Sequence, residues 1–196
     1  ETSLQDFRPD FVGITCATPL YFGAKDIAAA VKQHNLDTRV VIGGVHPSSF
    51  PQETLADTQA DFVCVGEGDY ALLDIVEGQA PEAISNIWYR RDGQVVPGSG
   101  GQPIKDMDAL PYPAWHLFDI KKYHTPRLAA RKNPVGLMET SRGCVFGCTY
   151  CNKNIFGRTF RAKSPQRVVA EMEHLLEVGF QEIVILDDGF TTNLKR

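Results

Sequence analysis

Between residues 10 and 78, short apolar runs alternate with amphipathic stretches, strand then helix, three times in succession. "DFVGITC" (10–16) is an unbroken apolar run of strand length, the pattern of a strand covered on both faces. "GAKDIAAAVKQHN" (23–35) then has helical spacing, which places Ile27, Ala30 and Val31 on one face. "TRVVIGGVH" (38–46) predicts a second strand and "PQETLADTQ" (51–59) a short helix. "DFVCVGEGD" (61–69) predicts a third strand, and "DYALLDIVEG" (69–78) a helix closed by glycine. Strands alternating with helices predict an α/β fold, a Rossmann-like parallel sheet with both faces covered. Ligands of such sheets sit beyond the carboxyl ends of the strands. The glycine-rich edges Gly43-Gly44 and Gly66-Glu67-Gly68 fall there.

The pattern changes after residue 79. "NIWYRRDGQVVPG" (86–98) predicts a hairpin, two β-rich arms about Asp92-Gly93. "GQPIKDMDALPYPAWHLFDIKKY" (101–123) has neither period and carries prolines at 103, 111 and 113. It is expected to be an ordered interdomain linker, with Trp115, Leu117 and Phe118 packed. From 134 the α/β pattern returns: "PVGLMETS" (134–141) is a strand running into a cysteine-rich loop. "SPQRVVAEMEHLLEVG" (164–179) is a helix with Ser164 as N-cap, Pro165 in its first turn and Gly179 past its end. Its expected buried face is Val168, Met172, Leu175 and Leu176. "QEIVILDD" (181–188) is a strand ending in paired acids, Asp187 and Asp188. The expected division is 1–79, a first domain; 80–133, hairpin and linker; and 134–196, a second α/β domain.

Composition narrows the function classes. The 196 residues carry a net charge of −4, which gives no general reason to expect nucleic acid or anionic lipid as a partner. No apolar stretch approaches the ~20 residues of a membrane span, and no signal-peptide pattern opens the sequence. A cytoplasmic location is the expectation. Five cysteines, three of them clustered, argue for reduced thiols and against a disulfide scaffold. Cys16 and Cys64 lie in apolar strands and are expected to be buried there.

The clustered three are Cys144, Cys148 and Cys151, spaced C-x3-C-x2-C. They can bind zinc or an iron–sulfur cluster. Structural zinc wants four ligands, and His174 would have to leave its helix to become the fourth. Three thiolates can instead hold three irons of a cubane cluster, leaving the fourth iron open to a small molecule.

This loop, with Tyr150 before the last cysteine and a strand before the first, resembles the signature of the radical S-adenosylmethionine (radical SAM) enzymes. The resemblance implies a 4Fe–4S cluster on Cys144, Cys148 and Cys151, with Tyr150 near the adenine of S-adenosylmethionine. The open iron would chelate the amino and carboxylate groups of that cofactor. Its reductive cleavage would give a 5′-deoxyadenosyl radical. In the family the second strand ends in a polar motif, often Gly-Gly-Glu, that receives the cofactor's ammonium. Asp187 and Asp188 depart from the glycines but keep a carboxylate. The second domain is therefore expected to be the first βαβ unit of a partial TIM-type radical SAM barrel.

The first half, "VGITCAT", "VVIGGVHPSSFP" and "DFVCVGEGD", is similar to the cobalamin-binding domain fused ahead of many radical SAM enzymes. That similarity assigns Thr15 or Thr18, with Gly43 and Gly44, to the buried nucleotide tail of cobalamin. The Asp-x-His-x-x-Gly motif of other cobalamin proteins is absent, and His46 is expected to cap a loop. The implied activity is methyl transfer to an unactivated centre. The alternatives are a radical SAM cyclase or rearrangement enzyme without cobalamin, and a non-catalytic iron–sulfur or zinc module. The resemblance also implies a small-molecule or cofactor-like substrate and an external electron donor, a flavodoxin or ferredoxin. The front domain is expected to lack its start and the barrel its later strands, leaving the chain inactive alone.

Overall fold

A computed structural model describes residues 2–153 and 155–193. The chain forms two compact units, one of residues 1–103 with 152–156, the other of 104–151 with 157–196. Among the described residues, no helix is long and apolar enough to cross a membrane.

In the first unit, helix α1 (Thr2–Phe7) leads into strand β1 (Phe11–Thr15), helix α2 (Tyr21–His34) and strand β2 (Arg39–Gly43). Two short helices, α3 (Val45–Ser49) and α4 (Pro51–Asp57), precede β3 (Phe62–Cys64), and α5 (Asp69–Val76) follows it. Strands β4 (Ile87–Arg91) and β5 (Gln94–Pro97) complete a five-stranded sheet in sequence order. The first three strands run parallel, and β3–β4 and β4–β5 are antiparallel. Asp92 (φ 52°) and Gly93 (φ 78°) turn the predicted hairpin with both central residues at positive φ, the geometry that matches strand twist.

Continuous burial explains the apolar runs. Val40, Ile42 and Val63 enter the core cluster on one face of the sheet, with Cys16, Ala24, Ala28, Val31 and Leu55. Val41, Phe62 and Cys64 enter the cluster on the other, with Ala71, Ile75, Ile87 and Tyr89. Successive strand residues point to opposite faces, and both are covered. Helix α2 is rotated from its expected orientation. Ala24, Ala28 and Val31 are buried, at helical spacing, whereas Ile27 is 51% exposed. Small alanines let the helix backbone approach the sheet closely, and Ile27 is left on the solvent side.

In the second unit, strands β6 (Val135–Met138) and β9 (Glu182–Ile185) pair in parallel, Val135 opposite Glu182 through Met138 opposite Ile185. Helix α6 (Pro165–Val178) lies between them in sequence. Ser164 Oγ accepts from Arg167 N at 3.1 Å, and Gly179 (φ 112°) ends the helix in the left-handed conformation, as the caps predicted. Met138, Leu175 and Phe180 form the core, with Val168, Met172 and Trp115 packed against it. Trp115 meets Phe180 edge-on at 5.1 Å between ring centroids. Leu176 and Leu117, expected inside, are exposed, and Phe118 is half-exposed. Glu171 is buried with Leu175 on the helix's inner face, where only apolar residues were expected.

The stretch expected to be a linker divides between the units. The hairpin extends the first sheet. Residues 104–133 belong to the second unit and are tied to it by hydrogen bonds. Arg161 Nη1 donates to Ile104 O (2.8 Å), Arg167 Nη2 to Leu110 O (2.7 Å) and Ser164 N to Asp108 Oδ1 (2.8 Å). Ile104, Met107 and Leu110 bury as a small cluster of their own.

Candidate functional site

In the second unit the cysteine loop leaves the carboxyl end of β6 and is closed at its base by a short ladder. Strand β7 (Ser141–Arg142) pairs antiparallel with β8 (Arg161–Ala162). Gly143 then turns the chain at φ 87°, and Cys144 N donates to Gly157 O at 3.5 Å. Cys144 is partly buried, while Cys148 and Cys151 are exposed, and none of the five cysteines is in a disulfide. Cys151 N donates to Cys148 O at 3.3 Å, so the last two cysteines share one turn. Tyr150 between them is 91% exposed.

Among the described residues, no three His, Cys, Asp or Glu side chains stand together at the spacing of a bound metal ion. The donor set nevertheless suits an iron–sulfur cluster: three cysteines outside any disulfide within eight positions of one loop, two of them exposed. Ligands gathered by the metal itself are common where binding and local ordering are coupled. His174 does not turn to the loop. Its ring stacks on Tyr112 at 4.8 Å.

The paired acids part company. Asp187 Oδ1 accepts from Thr140 N (2.6 Å) and Ser141 N (3.0 Å), and Oδ2 from Thr140 Oγ1 (2.5 Å) and Ser141 Oγ (2.7 Å). Partial burial pushes the Asp187 carboxyl up, but these hydrogen bonds outweigh it and hold the group below the usual carboxylate range. Asp188 is exposed.

Buried cations surround the base of the loop, and sequence reasoning missed them. Arg142, Arg161 and Lys163 are each less than 10% exposed. Arg142 Nε donates to Glu139 Oε1 (2.7 Å), Arg161 to the carbonyl of Ile104 (2.8 Å) and Lys163 Nζ to Glu171 Oε2 (2.7 Å). For Arg161 and Lys163 the signal in the sequence is the basic alternation "RAK" at 161–163 directly before the helix cap.

In the first unit the expected residues gather at the carboxyl ends of β1 and β2. Thr15 and Gly43 are register partners, and Cys16 N donates to Gly43 O at 2.8 Å. Gly44 has φ 106° and ψ −165°, a region reserved for glycine. A Cβ there would also lie 2.9 Å from Cys16 O and 3.2 Å from Thr15 Oγ1. Gly44→Ala is thus expected to destabilise the first unit by roughly 1–3 kcal/mol from backbone strain alone, read as a lower urea midpoint.

His46 lies in α3 and not in a bare loop. Its Nδ1 is 3.3 Å from Thr18 Oγ1, and its ring packs 4.2 Å from Tyr21 and 5.3 Å from Phe50. Burial first, then the hydrogen bond and charge of Asp57, push the Tyr21 hydroxyl up to about 12. Ser48, buried and unforeseen, joins the two glycine turns: its Oγ donates to Gly44 O (2.7 Å) and accepts from Gly66 N (2.9 Å). Cys16 and Cys64 are buried as expected. Desolvation raises both thiols, Cys64 to about 11, which suits packing and not ligation. A cavity of about 460 Å³, lined by Arg39, Asp61 and Arg90 among others, opens at the amino ends of β2 and β3, the opposite edge of this sheet.

Residues 1–76 match the family model described as the B12 binding domain. The chain is 34% identical over 200 residues to an uncharacterized methyltransferase of Pyrococcus horikoshii, covering 98% of this chain and 42% of the relative. Its first 76 residues thus resemble a B12 binding domain, and the chain as a whole resembles a methyltransferase. An anaerobic magnesium-protoporphyrin IX monomethyl ester cyclase of Rubrivivax gelatinosus is 30% identical over 201 residues, covering 96% of this chain and 35% of that one. The fold of this chain matches the radical S-adenosylmethionine methyltransferase TsrM of Kitasatospora setae, solved with cobalamin and a [4Fe-4S] cluster bound. The TM-score is 0.71 at 19% identity, covering 97% of this chain and 40% of that one. The chain therefore spans well under half the length of these relatives.

Proposed function

We propose that the protein cleaves S-adenosylmethionine at a 4Fe–4S cluster on Cys144, Cys148 and Cys151, and transfers a methyl group through cobalamin held by the first unit. The observation that carries this proposal is the loop itself: three cysteines at C-x3-C-x2-C, none of them in a disulfide, launched from the carboxyl end of a parallel strand and closed by β7–β8. When bound, the cluster supplies the electron for cleavage and cobalamin carries the methyl group.

The chain's own residues bind and orient. Each thiolate gives one iron a protein ligand. The exposed ring of Tyr150 offers the adenine an aromatic face, and the exposed Asp188 carboxylate a partner for the ammonium. Thr15, Thr18, Gly43 and Gly44 border the edge where the nucleotide tail would lie, and Ser48 keeps its two glycine turns together. A small-molecule or cofactor-like substrate and a flavodoxin or ferredoxin donor complete the proposal. Similarity to the cyclase favours a second reading, in which the same pair of domains closes a ring.

Anaerobic reconstitution followed by absorption spectra and assay of iron, sulfide and cobalt tests both. The expected result is a cluster shoulder together with corrinoid bands. A cluster without corrinoid uptake would remove cobalamin from the function, and the absence of both cluster and corrinoid would overturn the proposal.

A further inference from the structure

We infer that Asp187 is a positioning residue, a latch that fixes the junction between β6 and the cysteine loop, so that Asp188 alone of the pair is left to meet a cofactor cation. The inference rests on the proposal that the loop cysteines hold a cluster.

Four donors converge on one carboxylate. They belong to consecutive residues, Thr140 and Ser141, and each residue contributes its backbone N–H and its hydroxyl. A carboxylate offers about four lone-pair sites, so Asp187 has no acceptor position left for an ammonium group without giving up one it already uses. Both donor residues are buried, Thr140 completely. Asp187 lies two residues past the end of β9, where the pairing with β6 continues through Leu186 N to Met138 O at 2.9 Å. Asp187 therefore sits at the exit of β9 and grips the exit of β6. Only Arg142 and Gly143 separate Ser141 from Cys144. The position of the first thiol follows from that of the gripped pair.

Lys163 N donates to Thr140 O at 2.9 Å, so the same corner is also held from the β8 side. This makes the corner a fixed point from which the loop departs. A group that orients a ligand from behind typically changes metal affinity 10–100-fold when removed.

The test uses the full-length protein with Asp187→Asn, which keeps the shape but replaces an acceptor oxygen by a donor, alongside Asp188→Asn. Thr140→Val and Thr140→Ser provide a second pair, in which only the serine retains the hydroxyl. Asp187→Asn and Thr140→Val are expected to speed amide exchange at Ser141 in the cluster-free protein. After reconstitution they should also lose iron to a chelator roughly tenfold faster than wild type. Thr140→Ser should restore both. Where Asp187→Asn still holds cluster, the change in its electron paramagnetic resonance spectrum on adding S-adenosylmethionine should persist, whereas Asp188→Asn should retain iron and lose that change. Unchanged amide exchange in Asp187→Asn, or full iron retention with loss of the cofactor response, would overturn the latch. A wild-type protein that takes up no cluster would instead overturn the proposed function, while the exchange of Ser141 would still report on the corner.

Discussion

Cys144→Ala, Cys148→Ala and Cys151→Ala are each expected to reduce stably bound iron by more than about tenfold, the lower range for loss of even an outer partner. A cluster with an open iron has no spare protein ligand, so removal of one thiolate leaves a second iron held only by sulfide and solvent. Cys16→Ala and Cys64→Ala are expected to retain iron, because both thiols are buried in the first unit's cores and belong to its packing. Each of these two should lower stability instead, by about 1 kcal/mol for the small volume removed. Iron, sulfide and protein assays on anaerobically reconstituted samples separate the two groups of variants. Full iron loading in any of the three loop variants would show that the loop is not the cluster site.

The alternation of strand and helix, the Asp92-Gly93 turn and the caps of α6 were legible because each depends on neighbours in sequence. Ser164, Pro165 and Gly179 act on the backbone within one turn, whatever the helix packs against. The rotation of α2 was not legible. Its alanines are weak signals of burial, and a sheet that accepts Ala24 and Ala28 closely decides which side Ile27 faces. Helix α3 is too short for periodicity to show, and it alone brings His46 beside Tyr21 and Ser48 beside Gly66.

The candidate site divides in the same way. The cysteines announce themselves by spacing. The two acids were found as a pair, yet only the hydrogen bonds of Thr140 and Ser141, more than forty positions away, distinguish Asp187 from Asp188. Likewise, the two-residue ladder β7–β8 has no periodicity to detect, and it is what buries Arg142 and Arg161. Residues that hold a functional loop from behind look like ordinary polar residues until the chain has folded.

The second large effect is expected at Glu171, a charged residue on the inner face of α6. Its carboxylate lies 2.7 Å from Lys163 Nζ, with side-chain exposures of 4% and 6%. Arg167 Nε is 3.8 Å away on the same helix. Lys163 follows β8 directly, and its backbone N–H is bonded to Thr140 O, so the ion pair pins α6 to the corner that launches the cysteine loop. Two ions taken out of water this completely are costly, and their mutual attraction offsets that cost only while both are present. Glu171→Ala leaves the Lys163 ammonium buried without its carboxylate, and a loss of about 3–5 kcal/mol is expected. Replacing both partners by apolar residues, Lys163→Met with Glu171→Leu, is expected to be close to neutral, because it removes the desolvation cost together with the attraction. The measurement is urea unfolding followed by Trp115, which packs on Phe180 within the α6 core, in a Trp88→Phe background that silences the other tryptophan. A single Glu171→Ala variant that costs less than about 1 kcal/mol, as an exposed pair would, contradicts the buried-pair account.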